Sequence, residues 1–420
     1  MQTTLRIALR FLLAKRRAML MSLAGIAFGV GFIVLTQAVT SGFQQFFIQT
    51  ILGADGAIRV EDKIQPGSIV EMDVEMGATP SQGPKTSVKI QSDRKYQSGV
   101  FDPLLQMAAI HPISQVKGVS QVLRGNVAIQ SATSEDTAQV FGIVLDDHLA
   151  VSDLGKQIIM GSAEEFRQSP AAIMIGSALA DRIKVRLGES VLISYAGLAT
   201  RYRVATIYET GVRDVDRTRI FMHLGEARVL LNKPFGATFL QISLRDPDRA
   251  PALCDMIQDI TEHRATSWQE RERVWLSVFH FFRISAWITV STIIVVSGLG
   301  MFNTLAMIVM EKTKEIAILR SMGFTRSDIS AVFMLQGALV LVAGLVTGWL
   351  FGALCTWGTE SIPIRLRGVF STDHIVVAWD VYHYLGAGFA AALVVAIASW
   401  FPARRAARME PAGIIRGASQ

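Results

Sequence analysis

Four stretches of the chain, residues 18–40, 284–310, 329–359 and 381–403, carry no Asp, Glu, Lys or Arg. Each is longer than the roughly 20 apolar residues a helix needs to cross a bilayer, so the pattern predicts four membrane-spanning helices. Between the first and second stretch, polar and apolar positions mix. After residue 40, Phe43, Phe46, Phe47 and Thr50 keep helical spacing, so the first helix is expected to continue past the uncharged run and stop at Gly53. Strand patterns then follow at 57–61, 121–130, 139–144, 202–208 and 239–244, with helical patterns near 101–110, 225–231 and 247–263. Residues 171–194 read as strand, short amphipathic helix, Gly188 turn and strand. The Pro/Gly/Ser-rich stretch 65–99 reads as a hairpin or mobile loop. Residues 268–282 read as a helix running into the second span.

The expected fold class is therefore a four-helix membrane protein with a large extracytoplasmic α+β domain of two lobes inserted between helices one and two. The expected division is an N-terminal cytoplasmic segment 1–17, helix one 18–41, the inserted domain 42–282 and helix two 283–310. It continues with a cytoplasmic coupling segment 311–328, helix three 329–355, an outer loop 356–379, helix four 380–402 and a tail 403–420.

Composition agrees with this picture and excludes an ordinary soluble enzyme. Of the 420 residues, 50% are hydrophobic and only 18% charged, and the mean hydropathy is +0.37. The net charge of +6 matters less than its placement. Arg6, Arg10, Lys15, Arg16 and Arg17 precede the first span, Lys312, Lys314, Arg320 and Arg326 lie between the second and third, and Arg404, Arg405, Arg408 and Arg416 follow the fourth. The segment between spans three and four holds only Arg365 and Arg367. Basic residues stay on the cytoplasmic side, so both termini and the 311–328 loop are expected inside and the large domain outside. Trp275, Trp287, Trp357, Trp379 and Trp400 fall near span ends, where an aromatic belt would place them. The first uncharged run is too long for a signal-peptide core and no small-x-small cleavage site closes it, so an uncleaved anchor is expected.

Much catalytic chemistry is missing from the pattern. There is no G-x-x-x-x-G-K-[ST] phosphate loop; the nearest lookalike, Gly83-Pro84-Lys85-Thr86, has proline where glycine is needed. No H-E-x-x-H or G-x-S-x-G occurs, and Cys254 and Cys355 have no metal-ligand spacing. Asp146-Asp147-His148 is the most suggestive acidic cluster, and it is expected to be an exposed turn rather than a metal or acid–base site. His383 is expected at the outer interface of span four.

The segment 309–329, VMEKTKEIAILRSMGFTRSDI, reads as a charged amphipathic helix, a break at Gly323 and a short helix capped near Thr325. Its wording resembles the E-K-x-x-E-I-x-x-L-R-x-x-G signature of FtsX-like and MacB-like ABC transporter permeases. That resemblance implies contact with a separate ATPase through Glu311, Lys312, Glu315, Arg320, Gly323, Arg326 and Asp328. The opening RIALRFLLAKRR (6–17), Ser41-Gly42-Phe43 with Ile51-Leu52-Gly53, and ATSWQERERVWL (265–276) resemble the lipoprotein-releasing permeases of the Lol system. The tail PARRAARMEPAGIIRG (402–417) is similar to the ending shared by the wider superfamily, and the 65–99 loop is longer than that family leads one to expect.

The resemblance implies a transport subunit without cofactor of its own, ATP and Mg being bound by a LolD-like ATPase dimer. It also implies a second permease subunit, identical or not, a lipoprotein substrate in membrane lipid, a LolA-like periplasmic carrier, and a bacterial inner-membrane location. In that frame a cleft for acyl chains is expected from Thr36, Thr40, Phe43 and Phe47 on span one and Ile294, Gly298, Met301 and Leu305 on span two. MacB-like efflux of peptides or amphiphiles, and FtsX-like activation of a cell-wall hydrolase, are the alternatives the same motifs leave open.

Overall fold

The computed structural model describes residues 6–10, 16–64, 69–72, 88–91, 96–97, 99–362, 366–367, 371–372 and 375–408. Contacts divide the chain into two compact units, one built on Phe47–Val274 with Leu366–Thr372, the other on the long helices.

The helical unit holds α1 (Arg16–Asp55), whose last turns belong to the other unit, together with the long helices that follow the inserted domain in sequence. These are numbered below once the domain's elements have been given. Its four long helices are apolar enough to cross a membrane by length and composition. At 40 residues, α1 is about 60 Å long, roughly twice the hydrocarbon thickness, so much of it extends past the bilayer core. The helix passes the expected stop at Gly53 and ends at Asp55.

The inserted domain is one eleven-stranded sheet. Its strands in chain order are β1 (Ile58–Ile64), β4 (Tyr96–Gln97), β5 (Val116–Gln130), β6 (Glu135–Ile143), β7 (Ile158–Gly161), β8 (Ala172–Gly176), β9 (Ser190–Tyr195), β10 (Leu198–Tyr208), β11 (Arg219–His223), β12 (Phe239–Leu244) and β13 (His263–Ser267). A separate antiparallel pair joins β2 (Ile69–Met72) to β3 (Val88–Gln91); the rest of the expected 65–99 loop, apart from β4 and Gly99, lies outside the described residues. The order is β13-β1-β12-β5-β6-β11-β8-β10-β7, with β9 on β10 and β5, so the two expected lobes share a continuous sheet. β6–β11 and β8–β10 are parallel pairs.

Both faces of this sheet are covered, and the sequence shows why the strands read as solid apolar runs rather than alternating ones. In β8, Ile173 and Ile175 enter one core while Met174 enters the other; β11 divides Ile220 and Met222 from Phe221, and β6 divides Val140 from Phe141. A period of two sends neighbours to opposite faces, so a run such as AIMIG needs a core on each side. On the first face α5 (Ser177–Ile183) supplies Leu179 and Ile183, and α7 (Leu224–Leu230) supplies Ala227 and Leu230. On the second, α3 (Leu145–Val151) supplies Leu145 and α4 (Ala163–Gln168) supplies Phe166. Remaining helices are α2 (Pro103–Ile110), α6 (Arg213–Thr218), α8 (Ala250–Thr261) and α9 (Trp268–Arg271).

The helical unit resumes with α10 (Arg273–Glu311), α11 (Thr313–Ser321), α12 (Arg326–Glu360) and α13 (Val381–Ala407). The expected single helix entering span two is interrupted at Glu272, between α9 and α10. The bundle packs through small residues. A Cβ at Gly348 of α12 would stand 2.9 Å from the Ala27 carbonyl oxygen of α1, and one at Gly352 would stand 3.1 Å from Gly31. This Gly344-x-x-x-Gly348-x-x-x-Gly352 ridge lets two helix backbones approach where lipid offers no hydrophobic drive. Ser22 and Thr304 hydroxyls meet at 3.2 Å between α1 and α10, and the Trp349 indole donates to the Tyr384 carbonyl.

Candidate functional site

The segment 311–328, expected to couple to an ATPase, is built from two helices and a left-handed break. α11 follows α10 after a one-residue interruption at Lys312. It ends where Gly323 takes φ +98°, a conformation that favours glycine, and the Gly323 and Phe324 amides bond back to Arg320 and Leu319 carbonyls. The short capped helix expected after it is the first turn of α12 itself. Thr325 caps that helix: its hydroxyl accepts from the Asp328 amide at 3.2 Å, while the Asp328 carboxylate accepts from the Thr325 amide at 2.9 Å.

These contacts divide the seven expected coupling residues. Asp328 and Gly323 shape the segment, and Arg320 donates to the Ala407 carbonyl at the end of α13, fastening the loop to the last helix. Lys312 pairs with Glu315. Glu311, Glu315 and Arg326 are exposed. Sequence reasoning passed over Ile318 of α11 and Met322 just past its end, which are 53% and 73% exposed and four residues apart. An exposed apolar pair beside exposed charges is the composition of a docking surface, and the signal was available as an i, i+4 apolar pair in a charged segment.

The expected acyl-chain cleft is distributed differently. Ile294, Met301 and Leu305 lie in the core of the four-helix bundle, and Gly298 faces α13, where an added Cβ would come within 2.4 Å of Val394. Thr36, Thr40 and Phe43 are half-buried, Phe43 meeting Phe279 edge to face at 5.8 Å, and Phe47 is buried. Among the described residues an apolar opening of about 450 Å³ is lined by Val295, Gly298, Leu299 and Phe302 of α10 and Ile397 and Phe401 of α13, so of the expected cleft residues Gly298 borders it. His383 accepts from or donates to the Ser41 hydroxyl at 3.1 Å.

The inserted domain carries a charged joint where α1 ends. Asp55 receives both guanidinium nitrogens of Arg219, at 2.6 and 3.1 Å, and one of Arg59 at 3.2 Å. Arg271, just before α10, donates to the Gly56 carbonyl at 3.0 Å and the Asp55 carbonyl at 3.5 Å. Backbone pairing of β1 with β13 and the Trp268 amide on the Ala57 carbonyl at 2.9 Å close the same junction. The side chains of Asp55 and Arg219 are each 13% exposed. Burial works against the Arg219 cation, yet Asp55 beside it raises its pKa further still. Arg59 and Arg219 also lie over the Phe239 and Phe141 rings, which spreads the excess positive charge over aromatic faces.

His148 sits against this joint. The expected exposed turn at 146–148 is the start of α3, and His148 is 1% exposed, within 3.4 Å of the Ser120 hydroxyl. Burial, and then the Arg219 cation, pull its pKa down to about 4. Among the described residues no group of His, Cys, Asp and Glu could hold a metal.

Two family signatures cover this architecture. The MacB-like periplasmic core domain matches residues 19–260, more than half of the chain, and the FtsX-like permease C-terminal matches 287–411. The chain belongs to the FtsX-like permeases that carry a MacB-like periplasmic core domain. Among its relatives is the lipoprotein-releasing system transmembrane protein LolC of Xylella fastidiosa, 25% identical over 98% of each chain. The LolC of Neisseria meningitidis is 24% identical over 98% of each. The periplasmic region of MacB from Actinobacillus actinomycetemcomitans superposes with a TM-score of 0.35 at 9% identity, over 55% of this chain and 97% of that one.

Proposed function

We propose that this chain is the permease subunit of an ABC transporter that extracts lipoproteins from the outer leaflet of a bacterial inner membrane and passes them to a periplasmic carrier. A separate ATPase dimer binds ATP and Mg and docks on the α11 surface, with Glu311, Glu315, Ile318, Met322 and Arg326 exposed to it. Both termini are cytoplasmic and the sheet domain periplasmic. The subunit works beside a second permease subunit by mechanotransmission. The observation that carries this reading is the pair of uninterrupted helices, α1 and α10, that run from uncharged spans to the Asp55–Arg271 junction. A continuous helix passes displacement along its axis, and the uncharged spans offer an ion no polar path. Full-length similarity to two LolC proteins supports lipoprotein as the cargo. The match to the MacB-like core keeps efflux of peptides or amphiphiles as the second reading.

The test is ATP hydrolysis by the subunit co-purified with its ATPase in lipid, with and without a triacylated lipoprotein and a soluble periplasmic acceptor. Lipoprotein-dependent turnover with transfer to the acceptor is expected. Turnover indifferent to lipoprotein would move the assignment to efflux or hydrolase activation.

A further inference from the structure

At the opposite end of the sheet from β13, the edge strand β7 borders a cavity of about 990 Å³, the upper range of pockets that hold sizeable ligands. β7 pairs only with β10 among the described strands, so its outer edge is a row of unpaired backbone donors and acceptors. A register shift opposite Ile207 and Tyr208 leaves Ile159 as an extra residue, the kind of bulge that re-aims a side chain. Ile159 and Met160 are 53% and 55% exposed, and Leu187, also on the cavity, is 41% exposed.

The polar lining has a distinct chemistry. Arg182, Arg186, Arg213 and Arg217 face Asp181, Glu209 and Asp216 there. Arg182 is paired with Asp136, and Arg217 lies close enough to it to depress its pKa, after the larger effect of burial. Among the described residues no salt bridge engages Arg186 or Arg217, both exposed. Asp216 is 1% exposed; its Oδ1 accepts from the Thr210 amide and hydroxyl, both at 2.8 Å, and its Oδ2 has no partner. A buried carboxylate oxygen without a donor is costly, and a ligand that brings an N–H removes the cost.

We propose that this cavity receives an extended acidic segment of a partner polypeptide, its backbone along the open edge of β7. Its acidic side chains meet Arg186 and Arg217, its apolar ones cover Ile159, Met160 and Leu187, and a backbone N–H answers Asp216. Strand addition of this kind takes affinity from main-chain hydrogen bonds and selectivity from alternate side chains. A phosphate headgroup fits less well: it brings no row of backbone donors and acceptors for the open edge of β7 and no apolar side chains for Ile159, Met160 and Leu187. The proposal holds whatever the permease moves, and its assay needs no ATPase, so it fails or stands apart from the lipoprotein reading.

The test measures fluorescence anisotropy of a short labelled peptide alternating glutamate and valine, titrated with the full-length protein in lipid nanodiscs. Expected are saturable binding, a loss of about tenfold or more in Arg186→Glu/Arg217→Glu, and no binding of the peptide with lysine for glutamate or proline for valine. A photo-crosslinking residue at Met160 should capture the peptide. Absence of binding, equal binding by the charge-reversed variant, equal binding of the proline peptide, or displacement by phosphatidylglycerol vesicles at matched charge would each overturn it.

Discussion

Neutralising Asp55 tests the charged joint most directly. In Asp55→Asn the shape is kept but Arg219, Arg59 and Arg271 lose their shared counter-charge. One unit-charge pair at ~4 Å and an effective dielectric of ~20 interacts by about 4 kcal/mol. Removing one partner of a buried pair costs about 3–5 kcal/mol, because the remaining charge stays buried without compensation. With both Asp55 and Arg219 13% exposed, solvent screening takes little from that figure. The expected loss is therefore about 3–5 kcal/mol, concentrated where β1, β12 and β13 meet α1. Hydrogen–deuterium exchange of the full-length protein in nanodiscs reads it as faster exchange of those strands, with α12 and α13 unchanged. The double variant Asp55→Asn/Arg219→Gln should lose less than the sum of the single losses, by about 1 kcal/mol or more. A loss below about 1 kcal/mol in Asp55→Asn, or additive single losses, would refute the reasoning and reduce the joint to ordinary packing.

Other consequences follow from the same geometry. His148 has a lowered folded pKa, about 4 against 6.5, so it contributes stability fully present above pH ~6.5 and lost as pH falls toward 4. Asp216, raised to about 6 mainly by burial, does the reverse: its contribution is full below its unfolded pKa and lost as pH rises through 6. Asp216 is common to wild type and His148→Asn, so the stability difference between them isolates His148 and should shrink by about 2 kcal/mol between pH 7 and pH 4.5; a pH-independent difference in unfolding would count against a buried neutral His148. Gly348→Leu should overpack the α1–α12 contact and lower bundle stability by about 1–3 kcal/mol in thermal unfolding, without slowing membrane insertion; an unchanged midpoint would mean that the helices separate freely. If Asp328 acts through its cap alone, Thr325→Ala and Asp328→Ala should impair ATPase-coupled transport equally, each removing about 1 kcal/mol from the start of α12; a much larger effect of Asp328→Ala would assign it a direct ATPase contact.

What the sequence determined by itself was everything carried by local pattern. Uncharged runs longer than the bilayer core give four long helices, because unpaired backbone cannot remain in lipid. The helical spacing of Phe43, Phe46, Phe47 and Thr50 foretold that α1 leaves the membrane as a helix, and Gly323 foretold the break. Strands such as β8, β10 and β12 were legible because their apolar runs are short and bounded by turns. β7, β11 and β13 were not, being segments of only four or five residues whose strand geometry comes from the neighbours they pair with.

Only the tertiary structure decided which face of a uniformly apolar helix is inside. Ile294, Met301 and Leu305 are indistinguishable in sequence from Val295 and Leu299, yet the helical bundle buries the first set and leaves the second exposed. Lipid and a helical neighbour are equally apolar, so hydrophobicity cannot choose between them; small residues such as Gly348 set the contact by shape. The same holds for charge. Asp55, Arg219 and Arg271 are far apart in the chain, and no spacing rule joins them. The sheet brings them together, and burial turns three ordinary surface residue types into a joint.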